Sequence, residues 1–263
     1  MIEVTAVVVG LNEGKLLGNC LASLNFCTEV IYLDLGSSDN SITVAANFPN
    51  VSSRVIDRVP AVEKIHSELK KYTQAEWVLI IDPDEVIDPD LCLQLTKELN
   101  NSDLSNNVGA IEVPEVYYFK GKQLKGGIWG GTKYRTLIVN QQGFNFTNSV
   151  HSGRHLKPGF VSHRLVQAGN NLIHHYWSNS YIQLIRKHNR YLKMEGPVRF
   201  ANGQRIQEIE LRGVPINEFK SAYFTLEGKH DGFRGLLLAA LWGWYQWEAS
   251  KALYREQLKS KLE

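Results

Sequence analysis

Two carboxylates one residue apart, Asp82 and Asp84, stand directly behind the apolar run Trp77–Ile81, in the order Asp82-Pro83-Asp84-Glu85. At the end of a buried strand, one can face a sugar hydroxyl and the other a divalent cation. Mg²⁺ takes one or two protein carboxylates and completes its shell with water and substrate phosphates, so a diphosphate substrate leaves the protein little else to supply. A turn at Asp82 and a helix capped by Asp88 ahead of Pro89-Asp90 account for Asp88. They leave the concentration of Asp82, Asp84 and Glu85 unexplained. A second polar run, Asp34-Leu-Gly-Ser37-Ser38-Asp39-Asn40-Ser41, closes another apolar segment. Ser38, Asp39 or Asn40 can cap the helix that follows, and Gly36 permits a tight turn. Capping does not require Asp34, whose strand-end carboxylate suits a ribose hydroxyl or a base N–H. Asn12-Glu13 stands in the corresponding place behind Thr5–Gly10.

The elements that would hold these residues alternate over the first hundred positions. Thr5–Gly10, Val30–Leu35, Ser53–Ile56 and Trp77–Ile81 read as strands, with helices near Lys15–Leu24, Ser41–Asn47, Ala61–Tyr72 and Pro89–Leu99. Short apolar strands separated by helices predict an α/β fold, a mostly parallel sheet with helices on both faces. Its ligand belongs at the carboxyl ends of the strands, where all three polar clusters fall. After a polar joint at 101–109, Ile111–Phe119, Thr136–Asn140 and Phe144–Thr147 read as strands divided by glycine-rich turns. From Tyr181 the chain reads as helical. The organisation expected is a ligand-binding half over 1–104, a second half of the same domain over 105–179, and a C-terminal helical extension over 180–263.

Composition narrows the function. Lys and Arg number 29 against 27 Asp and Glu, a net charge of +2 with no basic run, which excludes electrostatic wrapping of a nucleic acid. Cys20, Cys27 and Cys92 form no CxxC pair, which argues against a cysteine zinc site or a disulfide scaffold and favours a reducing compartment. The N-terminal residues lack the basic start of a signal peptide. The most apolar stretch, Gly235–Tyr245, is about half of the ~18–20 residues a spanning helix needs, so a cytoplasmic location is expected. The last helix, from about Gly235 to Lys261, carries Leu237, Leu241, Trp244, Trp247, Tyr254 and Leu258 at helical spacing, flanked by Lys251, Arg255, Lys259 and Lys261. Two readings stay open for it: peripheral contact with the inner face of a membrane, or packing on its own sheet or on a second subunit in a homo-oligomer.

The runs VVVGLNEGKLLGNCLASL, VIYLDLGSSDNSITVA and WVLIIDPDEVI together resemble the inverting glycosyltransferases of family 2, which have the GT-A, Rossmann-like fold. Val150-His151, Leu172-Ile173-His174, Lys187–Tyr191 and Asp231-Gly232 resemble the branch containing the lipopolysaccharide-core β-glucosyltransferases. The resemblance implies that Asn12, Glu13, Asp34 and Asp39 hold the nucleotide and that Asp82 contacts the ribose or the metal shell. It implies that Asp84 ligates Mg²⁺ or Mn²⁺ bridging the diphosphate, with His174 as the ligand returning from the second half. The donor implied is a nucleotide diphosphate sugar, UDP-sugars foremost, and the acceptor a glycan or glycolipid. The chain departs from the family pattern at Gly14 (a second Glu), at His66-Ser67 (an Arg-Asn pair) and at Ser152 (a Glu after Val-His).

Inverting transfer needs a cation to stabilise the departing diphosphate and a base to take the acceptor proton, the base contributing about 10²–10⁴ in rate. Glu115 and His151 are the candidate bases, with an exposed strand face as the alternative for Glu115 and packing for His151. Trp129, within Gly126–Gly131, is a candidate for stacking on a sugar from a closing loop. Two other functions share these residues: a sugar nucleotidyltransferase, and a non-catalytic nucleotide-sugar-binding or assembly protein, to which Ser152 points.

Overall fold

The computed structural model describes residues 3–59, 62–101, 106–146 and 154–261. In chain order its first half runs β1 (Val4–Gly10), α1 (Leu17–Ala22), β2 (Glu29–Asp34), α2 (Ser41–Ala45), β3 (Val51–Val55), α3 (Glu63–Ser67), β4 (Trp77–Ile81), β5 (Glu85–Ile87) and α4 (Pro89–Leu99). Then follow β6 (Val108–Phe119), β7 (Lys122–Gln123), β8 (Lys133–Asn140), β9 (Phe144–Phe146), β10 (Arg154–Leu156), β11 (Val161–Arg164) and β12 (Ile173–Ser178). Helices α5 (Tyr181–Ala201), α6 (Glu208–Leu211), α7 (Val214–Lys220) and α8 (Gly232–Lys259) end the chain.

The main sheet has the order β3-β2-β1-β4-β8-β6-β12-β5. Strands β3, β2, β1 and β4 are parallel, whereas β8 joins β4 and β6 antiparallel, and β12 joins β5 antiparallel. Every residue of β1 and β4 is buried, because alternate side chains enter two different cores. Val4, Ala6 and Val8 face one with Leu17, Leu21 and Leu91; Val7 and Val9 face the other with Ile65, Leu69 and Val139. The continuous apolar runs of the sequence reflect this double coverage. Asp88 caps α4 as its residue type predicts, accepting the Asp90 N–H at 3.0 Å ahead of Pro89 in the first turn.

The chain forms two compact units, one of residues 1–115 with 132–175, the other of 116–131 with 176–263. The stretch 105–179, expected as one half, is therefore divided between them. In the second unit Phe119, Leu124, Trp177, Leu184 and Leu238 form a core, bordered by Trp129 and Tyr181. Trp129, expected on a closing loop, packs 4.5 Å from the Trp177 ring and 5.6 Å from Trp242. Its loop is held by Asp231, which accepts the Lys125 and Gly126 N–H groups at 2.9 and 3.0 Å. Gly126 is required there, because a Cβ would meet the Glu227 carbonyl oxygen at 2.1 Å.

His188 enters the same cluster, edge-on to Tyr245 at 4.7 Å, and its Nδ1–H donates to the Leu184 carbonyl at 2.8 Å. Burial, reinforced by the charge of Lys187, lowers its pKa below the ordinary 6.5. The folded state therefore prefers the neutral ring, whose contribution is complete above about pH 6.5 and is lost as pH falls through the lower folded value. Urea midpoints compared at about pH 7.5 and about pH 5 should show wild type losing more stability on acidification than His188→Gln. Equal losses would exclude His188 as the cause.

Candidate active site

The parallel register that sets Gly10 of β1 beside Asp34 of β2 brings the two following loops side by side. They are stitched together. The Asn12 N–H donates to Ser37 Oγ and the Ser38 N–H to Asn12 Oδ1, both at 2.8 Å; the Glu13 N–H donates to Ser41 Oγ and the Gly14 N–H to Asp39 Oδ2, both at 3.0 Å. Asn12 takes the left-handed conformation, φ 59°, which asparagine tolerates better than most residues. Gly14, where the family pattern has a second glutamate, lies so close to α2 that a Cβ would stand 2.1 Å from Asn40 Oδ1.

Asp34 is 1% exposed. Its carboxylate accepts the Gly36 and Ser37 N–H groups at 3.0 and 2.8 Å, the Tyr32 hydroxyl at 3.1 Å, and the Ser37 hydroxyl. Its observed partners are thus its own strand and loop. Asp39 is exposed, and the Ser41 hydroxyl, followed by the Gly14 and Ser41 N–H groups, holds its carboxyl below the usual range.

Behind β4 the segment Asp82-Pro83-Asp84-Glu85 is a tight turn, with the Glu85 N–H donating to the Asp82 carbonyl at 3.0 Å. Pro83 occupies the second turn position, where its fixed φ is already suitable. The Glu85 carboxylate closes the turn from below by accepting the Asp82 N–H at 2.9 Å. Gly10 lets the turn seat on β1, since a Cβ there would approach the Tyr32 hydroxyl to 2.9 Å and Pro83 Cγ to 3.1 Å. Asp82 and Asp84 are thereby held half-buried at the strand end.

Beneath them lies a charge cluster that sequence reasoning did not assemble. Antiparallel pairing sets His175 of β12 opposite Glu85 of β5. His175 Nε2 lies 3.4 Å from Asp84 Oδ2, while Nδ1 lies 3.2 Å from Glu115 and 3.4 Å from Glu85. Arg135 of β8 pairs with Glu85, stands 3.5 Å from Glu115, and donates from Nη2 to the Ile80 carbonyl at 2.8 Å. Glu85 and Glu115 are 1% and 3% exposed. Burial pushes Glu85 up, to about 8, against the opposing charge of Arg135. Burial acts in the same direction on Glu115, but the His175 hydrogen bond and Arg135 outweigh it and leave that carboxyl lowered. Burial opposes protonation of His175, and the Asp84 and Glu115 hydrogen bonds override it, raising the imidazole to about 10.

Glu85, Glu115 and His175 bring one ligating atom each within 4.8 Å of one another. A cation among those three would compete with the Arg135 guanidinium already there. The chemistry fits better on the other side of the imidazole. His175 presents Nε2 toward Asp84 and gives Nδ1–H to a buried carboxylate, the arrangement by which proteins orient a histidine on a metal.

The structure thus brings Asp84 and Glu115 together through His175. It does not bring His174 to them: that ring turns to Asp88, 3.0 Å away, because neighbouring residues of a strand point to opposite faces. The signal available in sequence was the position of His175 at period two between apolar Ile173 and Trp177, which puts it on their face of β12; that face is the buried one. Arg135 announced itself only as one charge near the apolar end of a strand. His151 lies outside the described residues. Glu112, a strand-face glutamate, pairs with Arg164 at 2.6 Å.

The sequence pattern described as Glycosyl transferase family 2 matches residues 5–157. Among solved structures, the chain is similar to glucosyl-3-phosphoglycerate synthase from Mycobacterium tuberculosis in complex with Mn²⁺ and UDP-glucose, at 19% identity and TM-score 0.35, covering 44% of each chain. It is also similar to a mycobacterial protein at 13% identity and TM-score 0.46, covering 78% of this chain and 76% of that one. S. aureus TarS matches at 13% identity and TM-score 0.44, over 88% of this chain and 44% of that one.

Proposed function

The chain belongs to glycosyl transferase family 2, and from that premise we propose that it moves a hexose from a nucleoside diphosphate sugar to a glycan or glycolipid acceptor, using a divalent cation. The observation that carries the reading is the Asp84–His175–Glu115 alignment at the end of β4, beside the stitched loops that end β1 and β2. Asp84 and His175, the latter giving up its Nε2 proton to the metal, would hold Mg²⁺ or Mn²⁺, which when bound offsets the negative charge of the leaving diphosphate. His175 takes the place that the family resemblance implied for His174.

The remaining tasks fall to the chain itself. The loops carrying Asn12, Glu13 and Asp39, ordered in part by Asp34, form the floor for the nucleotide, and Asp82 faces the ribose. Transfer forms a bond from an acceptor oxygen to the anomeric carbon. The bond to the diphosphate oxygen breaks with its electron pair, and the acceptor proton passes to a base. Glu115 serves less well as that base, being buried and engaged by both His175 and Arg135; it orients the imidazole. His151 remains the candidate for the proton. The later motifs that resemble the lipopolysaccharide-core branch support a glycolipid acceptor of that kind, and UDP-sugars head the donors to be tested.

Calorimetric titration with UDP, GDP, CDP and dTDP, each with and without Mn²⁺, tests the reading. One nucleotide should bind, and only with metal; no binding of any by folded protein would sink it. Slow metal-dependent hydrolysis of the bound donor would then separate an enzyme from a binding protein. Glu115→Gln should weaken Mn²⁺ affinity about 10–100-fold while leaving kcat at saturating metal within a few-fold. A loss of about 10²–10⁴ in kcat at saturating metal would instead make Glu115 the base.

A further inference from the structure

Helix α8 is apolar on two faces. The face carrying Leu238, Tyr245, Ala249 and Leu253 is buried in the second unit. On the opposite face, at spacings of three and four residues, stand Phe233, Leu236, Ala240, Trp244 and Trp247, continued by Lys251, Arg255 and Leu258. Phe233 is 73% exposed, Leu236 36% and Trp247 37%. A helix of a globular protein ordinarily turns charged and polar residues to water on this side. Leaving apolar side chains of this size in water is unfavourable relative to burying them.

Charge is distributed unevenly along the chain. The second unit, 116–131 with 176–263, holds 17 Lys and Arg against 9 Asp and Glu, a formal +8. The first holds 12 against 18, a formal −6, so the chain's +2 conceals a segregation. Helix α5 exposes Arg186, Arg190 and Lys193 together with Ile182 and Ile185. Lys251 Nζ stands 3.7 Å from the Trp247 ring centroid, a cation resting on the aromatic stripe.

We propose that this face of α8 docks on an anionic lipid bilayer, with the helix lying in the plane of the interface. A bilayer takes up Phe233 and Leu236 at its acyl boundary, keeps tryptophans at headgroup depth, and attracts the basic unit through its anionic headgroups. A second copy would bury the same apolar stripe only by setting +8 against +8. A nucleic acid would satisfy the charge and leave the stripe in water. Among the described residues no helix is long and apolar enough to cross a membrane, so the contact is peripheral. This inference goes beyond the donor-site reading and stands without it, because docking requires neither nucleotide nor metal.

The test is sedimentation of the full chain with vesicles of phosphatidylcholine alone and of phosphatidylcholine mixed with phosphatidylglycerol. Wild type should bind the mixed vesicles, ignore the neutral ones, and release as salt is raised. Phe233→Ser, and separately Arg190→Glu with Lys193→Glu, should each weaken binding about tenfold or more, with thermal midpoints unchanged. Absence of binding to mixed vesicles, binding indifferent to lipid charge, or variants that bind like wild type would each overturn the proposal. So would a wild-type dimer that Phe233→Ser dissociates, which would give the stripe to a second copy.

Discussion

Asp84→Ala is expected to abolish metal-dependent nucleotide binding and to lower transfer about a thousandfold or more, roughly 4 kcal/mol of barrier, while costing the fold only the Asp84–His175 pair. The separation of activity from stability follows from how the turn is made. Its closing bonds run from the Glu85 N–H to the Asp82 carbonyl and from the Asp82 N–H to the Glu85 carboxylate. Neither uses the Asp84 side chain, which instead faces His175 Nε2 at 3.4 Å. Deleting it would take away the proposed ligand and leave the turn closed. Asp84→Asn, which keeps the shape and loses the charge, should fail to the same degree. Single-turnover transfer and titration with the bound nucleotide, with and without Mn²⁺, measure both halves. Metal-dependent binding within a few-fold of wild type in either variant would remove Asp84 from the metal site.

Why Asp84 and its neighbours could be read from sequence while their support could not is a matter of range. Strand β4 and helix α4 begin and end where the apolar run Trp77–Ile81 and the Asp88-Pro89 start signal place them, because both signals are local. The strand-end carboxylates were legible for the same reason: each lies within a few residues of the strand that delivers it. Glu115, Arg135 and His175 lie 30, 50 and 90 residues beyond Glu85 and reach the site through antiparallel pairings of β12 with β5 and of β8 with β4 and β6. No local pattern records a register between distant strands, and one step along β12 exchanges His175 for His174. Asp34 shows the converse. Its position at a strand end was correctly legible, but only the fold reveals that four donors of its own strand and loop surround its carboxylate.

The largest loss of stability is expected from Arg135→Met above about pH 8, about 3–5 kcal/mol, which for a chain of this size lowers the thermal midpoint there by about 10 °C. Arg135 and protonated His175 balance Glu85 and Glu115 in a site of almost no exposure. Without the guanidinium, two buried carboxylates share one imidazolium, and the Ile80 carbonyl loses its Arg135 donor. The relief available is protonation of Glu85, whose pKa burial already raises and Arg135 restrains. A carboxyl with a raised folded pKa contributes stability below its unfolded value, near 4.5, and forfeits it as pH rises through the folded one. The variant's folded value lies higher still, so its deficit against wild type should open as pH rises through about 8 and narrow toward pH 5. Adding Glu85→Gln to Arg135→Met removes the stranded charge and should recover much of the loss and flatten this pH dependence, a coupling that a double-mutant cycle measures directly. If the double variant is as unstable as the sum of the two single ones at every pH, the deficit is one of packing around the lost side chain. The charge balance beneath Asp84 would then not be what holds the turn in place.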